Sequence, residues 1–256
     1  MTEFGSRVGA ALVTGGTGGI GSAVCRRLGE LGSDVVFTYR NNGTVARKVA
    51  ADIESGGRSA RGVSIDLTDS SALESLIAEV VEQFGGVHTV VHAAGPHVPM
   101  VHLSKVSPDQ LGTALQGEVT SFFTVVSAAL PELRRAHGSV TAVTTAATAR
   151  FPVRDGLSAG PKAAVESLVR AFAVEEGRFG VRFNSVGPGM LTDGMADRLI
   201  STGALDARAL EVTRSNIPLR RFGVAADIAE AVVFLASDRA NFISGQKLDV
   251  DGGYGV

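Results

Sequence analysis

The chain has 256 residues, 45% of them hydrophobic and 20% charged, with a formal net charge of −2. That is enough apolar material for a substantial core, and the scattered Lys and Arg form no concentrated basic field, which argues against nucleic acid or an acidic membrane as partner. The single cysteine, Cys25, rules out an intrachain disulfide and a cysteine metal cluster, and no metal is called for.

Val8–Thr14 is the first apolar stretch of strand length, and it runs straight into T-G-G-T-G-G-I-G, Thr14 to Gly21. Helical periodicity follows over Ile20–Leu31, where Cys25 reads as a small buried residue. Gly15, Gly19 and Gly21 have T-G-x-x-x-G-x-G spacing, which permits a tight turn and lets backbone amides and the helix N-terminus approach a pyrophosphate. The alternative is a purely structural turn. A second strand, Asp34–Tyr39, ends in F-T-Y-R-N-N. An NAD-selective fold places a carboxylate here for the ribose hydroxyls, yet no acid occurs between Val35 and Thr44. Arg40, with Asn41 and Asn42 as further donors, suits a 2′-phosphate, so NADP(H) is expected over NAD(H). The plainer reading of Arg40 is a solvated loop residue.

Helical patterns continue over Thr44–Ser55, Ser70–Phe84, Pro108–Ala129 and Lys162–Phe179, with strands at Arg61–Asp66, Val87–Ala93, Ser139–Thr144 and Val181–Val186. Asp66 is placed to bond an adenine amino group or to cap the helix starting near Ser70. Pro161 is tolerable only in a first helical turn, so the Lys162 helix is expected to begin near Ser158. Strands apolar on both faces imply a parallel sheet between helix layers. The expected fold class is α/β: a Rossmann-like, doubly wound parallel sheet with helices on both faces, one domain over residues 1–256. The region Met190–Ile217 has helical fragments but few strand signals, and its place after a strand's carboxyl end suits a substrate lid, before a last helix at Asp227–Ser237. Its Met190, Leu191, Met195, Leu199, Ile200, Leu205 and Leu210 suit an acyl chain or polycyclic lipid, or merely pack the lid down. Arg198, Arg208 and Arg214 are candidates for an anionic handle. The N-terminal M-T-E-F-G-S-R has no apolar run, and no segment has 18 consecutive apolar residues, so a soluble cytoplasmic protein is expected.

With T-G-G-T-G-G-I-G at 14–21, H-A-A-G at 92–95, F-N-S-V-G-P-G at 183–189, I-P-L-R-R-F-G at 217–223 and S-G-Q-K-L-D-V-D-G-G at 244–253, the chain resembles the short-chain dehydrogenases/reductases over nearly its whole length. The resemblance implies a homotetramer or homodimer acting on a small molecule. It also implies cofactor contacts from Gly15, Thr17, Gly19, Ile20 and Gly21, from Arg40 and Asn41, from Asp66 and Leu67, and from Ala93, Ala94 and Gly95. Lys162, Pro188, Gly189 and Thr192 complete that set, although the family's threonine usually falls at the position of Asp193 here.

The family's catalytic set is Asn–Ser–Tyr–Lys, with tyrosine and lysine spaced Y-x-x-x-K on one helix face. Lys162 matches the lysine. The tyrosine's place holds Ser158, the serine's place Thr145, and the asparagine's place Glu118. A serine hydroxyl is a far weaker acid than a phenol of pKa about 10 and is shorter by a ring. Three readings stay open. One is a likeness to the 2,4-dienoyl-CoA reductase branch, where serine precedes the lysine at this spacing, although that branch's replacement tyrosine would fall near Ala147. Another is carbonyl reduction with a substitute acid, from His97, Asp155, Glu118 or Tyr254, the histidines His92, His97 and His102 suiting the role on pKa grounds. The third is a cofactor-binding or regulatory protein that has lost its chemistry.

Overall fold

A computed structural model describes residues 3–193 and 207–256. Seven parallel strands form one sheet in the order β3-β2-β1-β4-β5-β6-β7. They are β1 Ala10–Thr14, β2 Asp34–Tyr39, β3 Ala60–Ser64, β4 Val87–His92, β5 Ser139–Val143, β6 Arg182–Pro188 and β7 Lys247–Val250. The strand order reverses between β1 and β4, which pair with Leu12 opposite Val90 and Thr14 opposite His92. Crevices at such reversals, beyond the carboxyl ends of the strands, are where this topology holds ligands.

The helices are α1 Gly19–Glu30, α2 Gly43–Ser55, α3 Ser70–Phe84, α4 Pro108–Leu115, α5 Ser121–Ala136, α6 Gly156–Glu176, α7 Ala207–Ser215 and α8 Ala225–Ala236. Two apolar cores flank the sheet. On one face Val24, Leu28, Val49, Ile53, Ile228 and Val232 from α1, α2 and α8 pack on Phe37 and Val13. On the other, Leu73, Val80, Phe122, Val126, Val165 and Phe172 from α3, α5 and α6 cover Leu12, Val90 and Val140. Cys25 is fully buried in the first core. Burial pushes its thiol well above the ordinary range, which makes it inert.

Three sequence expectations change. The helix expected over Pro108–Ala129 is interrupted by a π-turn, Gln116–Thr120, and runs on to Ala136. The helix carrying Lys162 begins at Gly156, so Pro161 lies in its second turn and supplies no N–H to the Leu157 carbonyl. Asp69, not Asp66, caps α3 by accepting from the Ala72 amide. Of the segment expected to form a lid, Leu191 is buried in the core and bridges in parallel to Gly223. Met195, Arg198, Leu199, Ile200 and Leu205 lie outside the described residues. Arg214 is paired with Glu211.

Candidate active site

Thr14, the last residue of β1, organises the crevice. Its Oγ1 accepts hydrogen bonds from the amides of Ala93 and Ala94, both at 3.2 Å, and lies 3.1 Å from His92 Nδ1. This ties the glycine loop after β1 to the H-A-A-G turn after β4. Gly15 adopts φ +70°, and a Cβ there would stand 2.8 Å from the Ala93 carbonyl oxygen. A Cβ on Gly21 would stand 2.2 Å from the Gly15 oxygen, so both positions require glycine.

Gly18 is the N-cap of α1 and offers no side-chain cap, so the amides of Gly19, Ile20 and Gly21 have no side-chain acceptor among the described residues. Ile20 instead packs on the core. Arg40 and Asn41 are exposed at the carboxyl end of β2, whereas Asn42 is committed to capping α2 through the Val45 amide. Asp66 accepts from the Thr68 amide and hydroxyl, which hold its carboxyl below the usual range, and Arg40 stands 3.8 Å away. Leu67 is partly buried against the second core. An open helix N-terminus, a loop that only glycine fits, and an exposed arginine beside the second strand fit a dinucleotide phosphate group.

On the far side of the turn stands Lys162. Its Nζ donates to Glu118 Oε2 at 2.6 Å. The Glu118 side chain is 3% exposed and that of Lys162 18% exposed. Glu118 reaches this place because it lies inside the π-turn, whose extra residue turns a carboxylate inward from an otherwise amphipathic helix. A Cβ on Gly95 would lie 2.9 Å from Glu118 Oε2 and 3.5 Å from Lys162 Nζ, so the H-A-A-G turn closes directly over the pair. Burial pushes the Glu118 carboxyl up, against the opposing pull of Lys162. Asp155, at the start of α6, is raised by burial and lowered by Lys162 in the same way, and its carboxylate accepts no hydrogen bond among the described residues.

Ser158 lies one turn before Lys162 on α6 and is partly buried. Thr145, after β5, accepts from the Ala147 amide at 3.1 Å, which leaves its own hydrogen uncommitted among the described residues. The end of β6 closes the floor, with Gly189 donating to the Val250 carbonyl from the position after Pro188. Thr192 donates its amide and hydroxyl to Gly223, while Asp193 takes the Ala225 amide at the start of α8.

The structure removes His92 from the acids. It is fully buried beneath Phe122, and burial and then the charge of Lys162 lower it to about 3, so it is neutral at ordinary pH. His97 and His102 are exposed on the following loop, and their imidazoles make no hydrogen bond among the described residues. Tyr254 lies with its ring under the Arg150 guanidinium, 4.8 Å from its centroid.

Sequence reasoning missed a second polar cluster behind Thr145. Lys247 pairs with Glu166 at 3.2 Å and Asp249 at 3.0 Å, and Thr148 donates to Glu166 at 3.0 Å. The signal available in the sequence was the place of Glu166, one turn beyond Lys162 on the same helix.

The family model described as Enoyl-(Acyl carrier protein) reductase matches residues 15–255. Among curated proteins, versicolorin reductase stcU of Emericella nidulans is 33% identical over 249 residues, covering 95% of this chain and 94% of that one. The 3-oxoacyl-[acyl-carrier-protein] reductase FabG of Staphylococcus aureus is 32% identical over 248 residues, covering 95% and 97%. Among solved structures, a short-chain dehydrogenase from Burkholderia cenocepacia in complex with NADP superposes with a TM-score of 0.88 at 30% identity over 100% of both chains. Matched over nearly its whole length by that family model and by these relatives, the chain belongs to the short-chain dehydrogenase/reductase family of oxidoreductases.

Proposed function

We propose that the protein is an NADP(H)-dependent reductase that transfers hydride to a carbonyl or conjugated enoyl group of an apolar, acyl-thioester-type substrate, using a site without a tyrosine. The observation that carries this reading is the placement of Lys162, whose ammonium lies under the H-A-A-G turn that Thr14 ties to the glycine loop. The bound dinucleotide would supply the hydride. Gly15, Gly19 and Gly21 and the open amides of α1 would hold its pyrophosphate, Arg40 its 2′-phosphate, and Lys162 its nicotinamide ribose. Ser158 and Thr145 each present a hydroxyl hydrogen that is uncommitted among the described residues and would orient the substrate oxygen.

The apolar character of the substrate is supported by Leu103, Phe151 and Val153, which are exposed on the loops after β4 and β5. The segment 190–217, of which residues 194–206 lie outside the described residues, is proposed as the lid. Relatives named for 3-oxoacyl reduction and a family model described for enoyl reduction support the two reaction types. The NADP held by the Burkholderia protein supports the cofactor preference drawn from Arg40. Self-association as a homotetramer or homodimer belongs to the same reading, supported by Phe123 and Val174, exposed on α5 and α6. Ser158, Thr145 and Glu118, which depart from the family pattern, favour a second reading: a cofactor-binding protein without chemistry.

NADPH oxidation with matched 3-oxoacyl, 2-enoyl and 2,4-dienoyl thioesters, beside Lys162→Ala, separates the readings. Turnover lost in the variant is expected. Tight NADPH binding with no turnover of any thioester would favour the binding protein. Ser158→Tyr sharpens the result: a ring that blocks the pocket marks a remodelled site, and one that raises activity marks a lapsed carbonyl reductase.

A further inference from the structure

Among the described groups, one buried acid is bonded directly to the lysine of the proposed site. Glu118 is 2% exposed, and its carboxylate has a single hydrogen-bond partner, Lys162 Nζ at 2.6 Å. A buried carboxylate normally needs several donors or a paired cation to offset its lost hydration, and a half-satisfied one is a group that readily changes protonation. The π-turn that carries it is a local departure from α-helical geometry of the kind that accompanies function. The other charged or titratable groups facing the pair are Asp155, from the start of α6, and His92, from β4. His92 is held neutral, and its Nε2 has no partner, so it neither gives nor takes a proton here. Asp155 acts on Lys162 through charge alone, with no hydrogen bond to it.

We infer that Glu118 is a positioning and proton-holding residue: it fixes Lys162 Nζ beneath Gly95 and returns to it the proton that Lys162 gives up during reduction. This rests on the reductase reading above. As the electrophilic carbon accepts the hydride with its electron pair, the substrate's π pair moves onto oxygen. That oxygen takes a proton from the Lys162 ammonium, relayed through the hydroxyl of Ser158, one turn away on the same helix face. Glu118 enters the step as the neutral acid, having taken a proton from water as NADPH binds; it passes that proton to the resulting amine, and the carboxylate recovers one from water as product leaves. For a conjugated substrate, the enolate formed at that oxygen is protonated by the same route. A neutral histidine is not required.

Glu118→Gln is the discriminating variant, because the amide keeps an oxygen to accept from Lys162 but cannot pass on a proton. With whichever thioester the panel above shows to be turned over, kcat should fall about 100-fold or more, the size expected for loss of a general acid. NADPH affinity, followed by nicotinamide fluorescence, should stay within about threefold, showing that the variant is folded. The wild-type kcat should fall as pH rises and Glu118 loses its proton, and this dependence should disappear in the variant. Glu118→Asp should recover part of kcat. Net proton uptake on NADPH binding in weakly buffered solution should be present in the wild type and absent in Glu118→Gln, a readout independent of turnover. The proposal is overturned if Glu118→Gln keeps kcat within threefold with unchanged proton uptake, or if Asp155→Asn abolishes the pH dependence instead. Full turnover by Lys162→Ala would overturn the reductase reading itself, a distinct result.

Discussion

Thr14 has accepted two amide hydrogens, so its own proton has one partner left, the Nδ1 of His92. That assigns the neutral histidine's hydrogen to Nε2, which is buried without an acceptor. Burial, and then the charge of Lys162, hold its pKa at about 3, below the ordinary value of 6.5. The unfolded chain therefore binds the proton more readily than the folded one. The stability His92 contributes is complete above pH 6.5 and is lost as pH falls toward 3, by about 2 kcal/mol at pH 5. His88, lowered to about 4 mainly by burial, has the same sign. His92→Asn keeps a side-chain group for Thr14 and removes this titration. Urea unfolding at pH 7 and pH 5 should show a smaller acid loss in the variant than in the wild type, and equal losses would contradict a buried neutral ring.

At the level of elements, the sequence was legible where one force acts alone. Apolar runs gave six strands to within a few residues, because burial on both faces leaves few alternatives for Val-rich stretches such as Val87–His92. The glycine spacing located the loop before α1, since each glycine is demanded by a specific close approach. The π-turn was not legible: no residue in Q-G-E-V-T demands it, and it is decided by packing between α5, α6 and the H-A-A-G turn. The helix start at Gly156 was misplaced because Pro161 was read as a boundary, whereas the continuing helix tolerates one missing hydrogen bond. Nor did spacing show that Glu118 meets Lys162, a contact between residues 44 positions apart. The tie of β7 to α6 makes a prediction at this scale. Lys247→Met should leave Glu166 buried without its cation and cost about 3 kcal/mol. Adding Glu166→Gln should recover much of that loss in a denaturant titration. If the double variant is as unstable as the sum of two singles, the cluster is not a coupled unit.

Over the whole molecule, the groups assigned to binding and chemistry gather at the carboxyl edge of the sheet. The amino edge carries structural ties such as Arg7 to Asp238 and the Ala236 carbonyl. A cofactor across the β1–β4 reversal would contact both halves of the fold, so its binding should stabilise the molecule as a unit. At about 100 times its Kd, NADPH should add roughly 2.7 kcal/mol. NADH at the same concentration should add less, and Arg40→Asp should narrow that gap in a thermal melt. Equal shifts from both dinucleotides in the wild type would remove Arg40 from phosphate selection.

The strand order also governs how the chain emerges from a ribosome. β1, β2 and β3 can pair as soon as they are made, but the other edge of β1 waits for β4, which ends at His92. Until then Ala10–Thr14, apolar through most of its length and buried throughout in the finished protein, presents an open ladder to any neighbouring strand. Two intervening β–α units must be synthesised before that edge is capped, which makes this the interval of greatest aggregation risk during translation. Thr14 makes its three hydrogen bonds along the same late seam, so a nascent chain acquires its binding crevice only when this hazard ends.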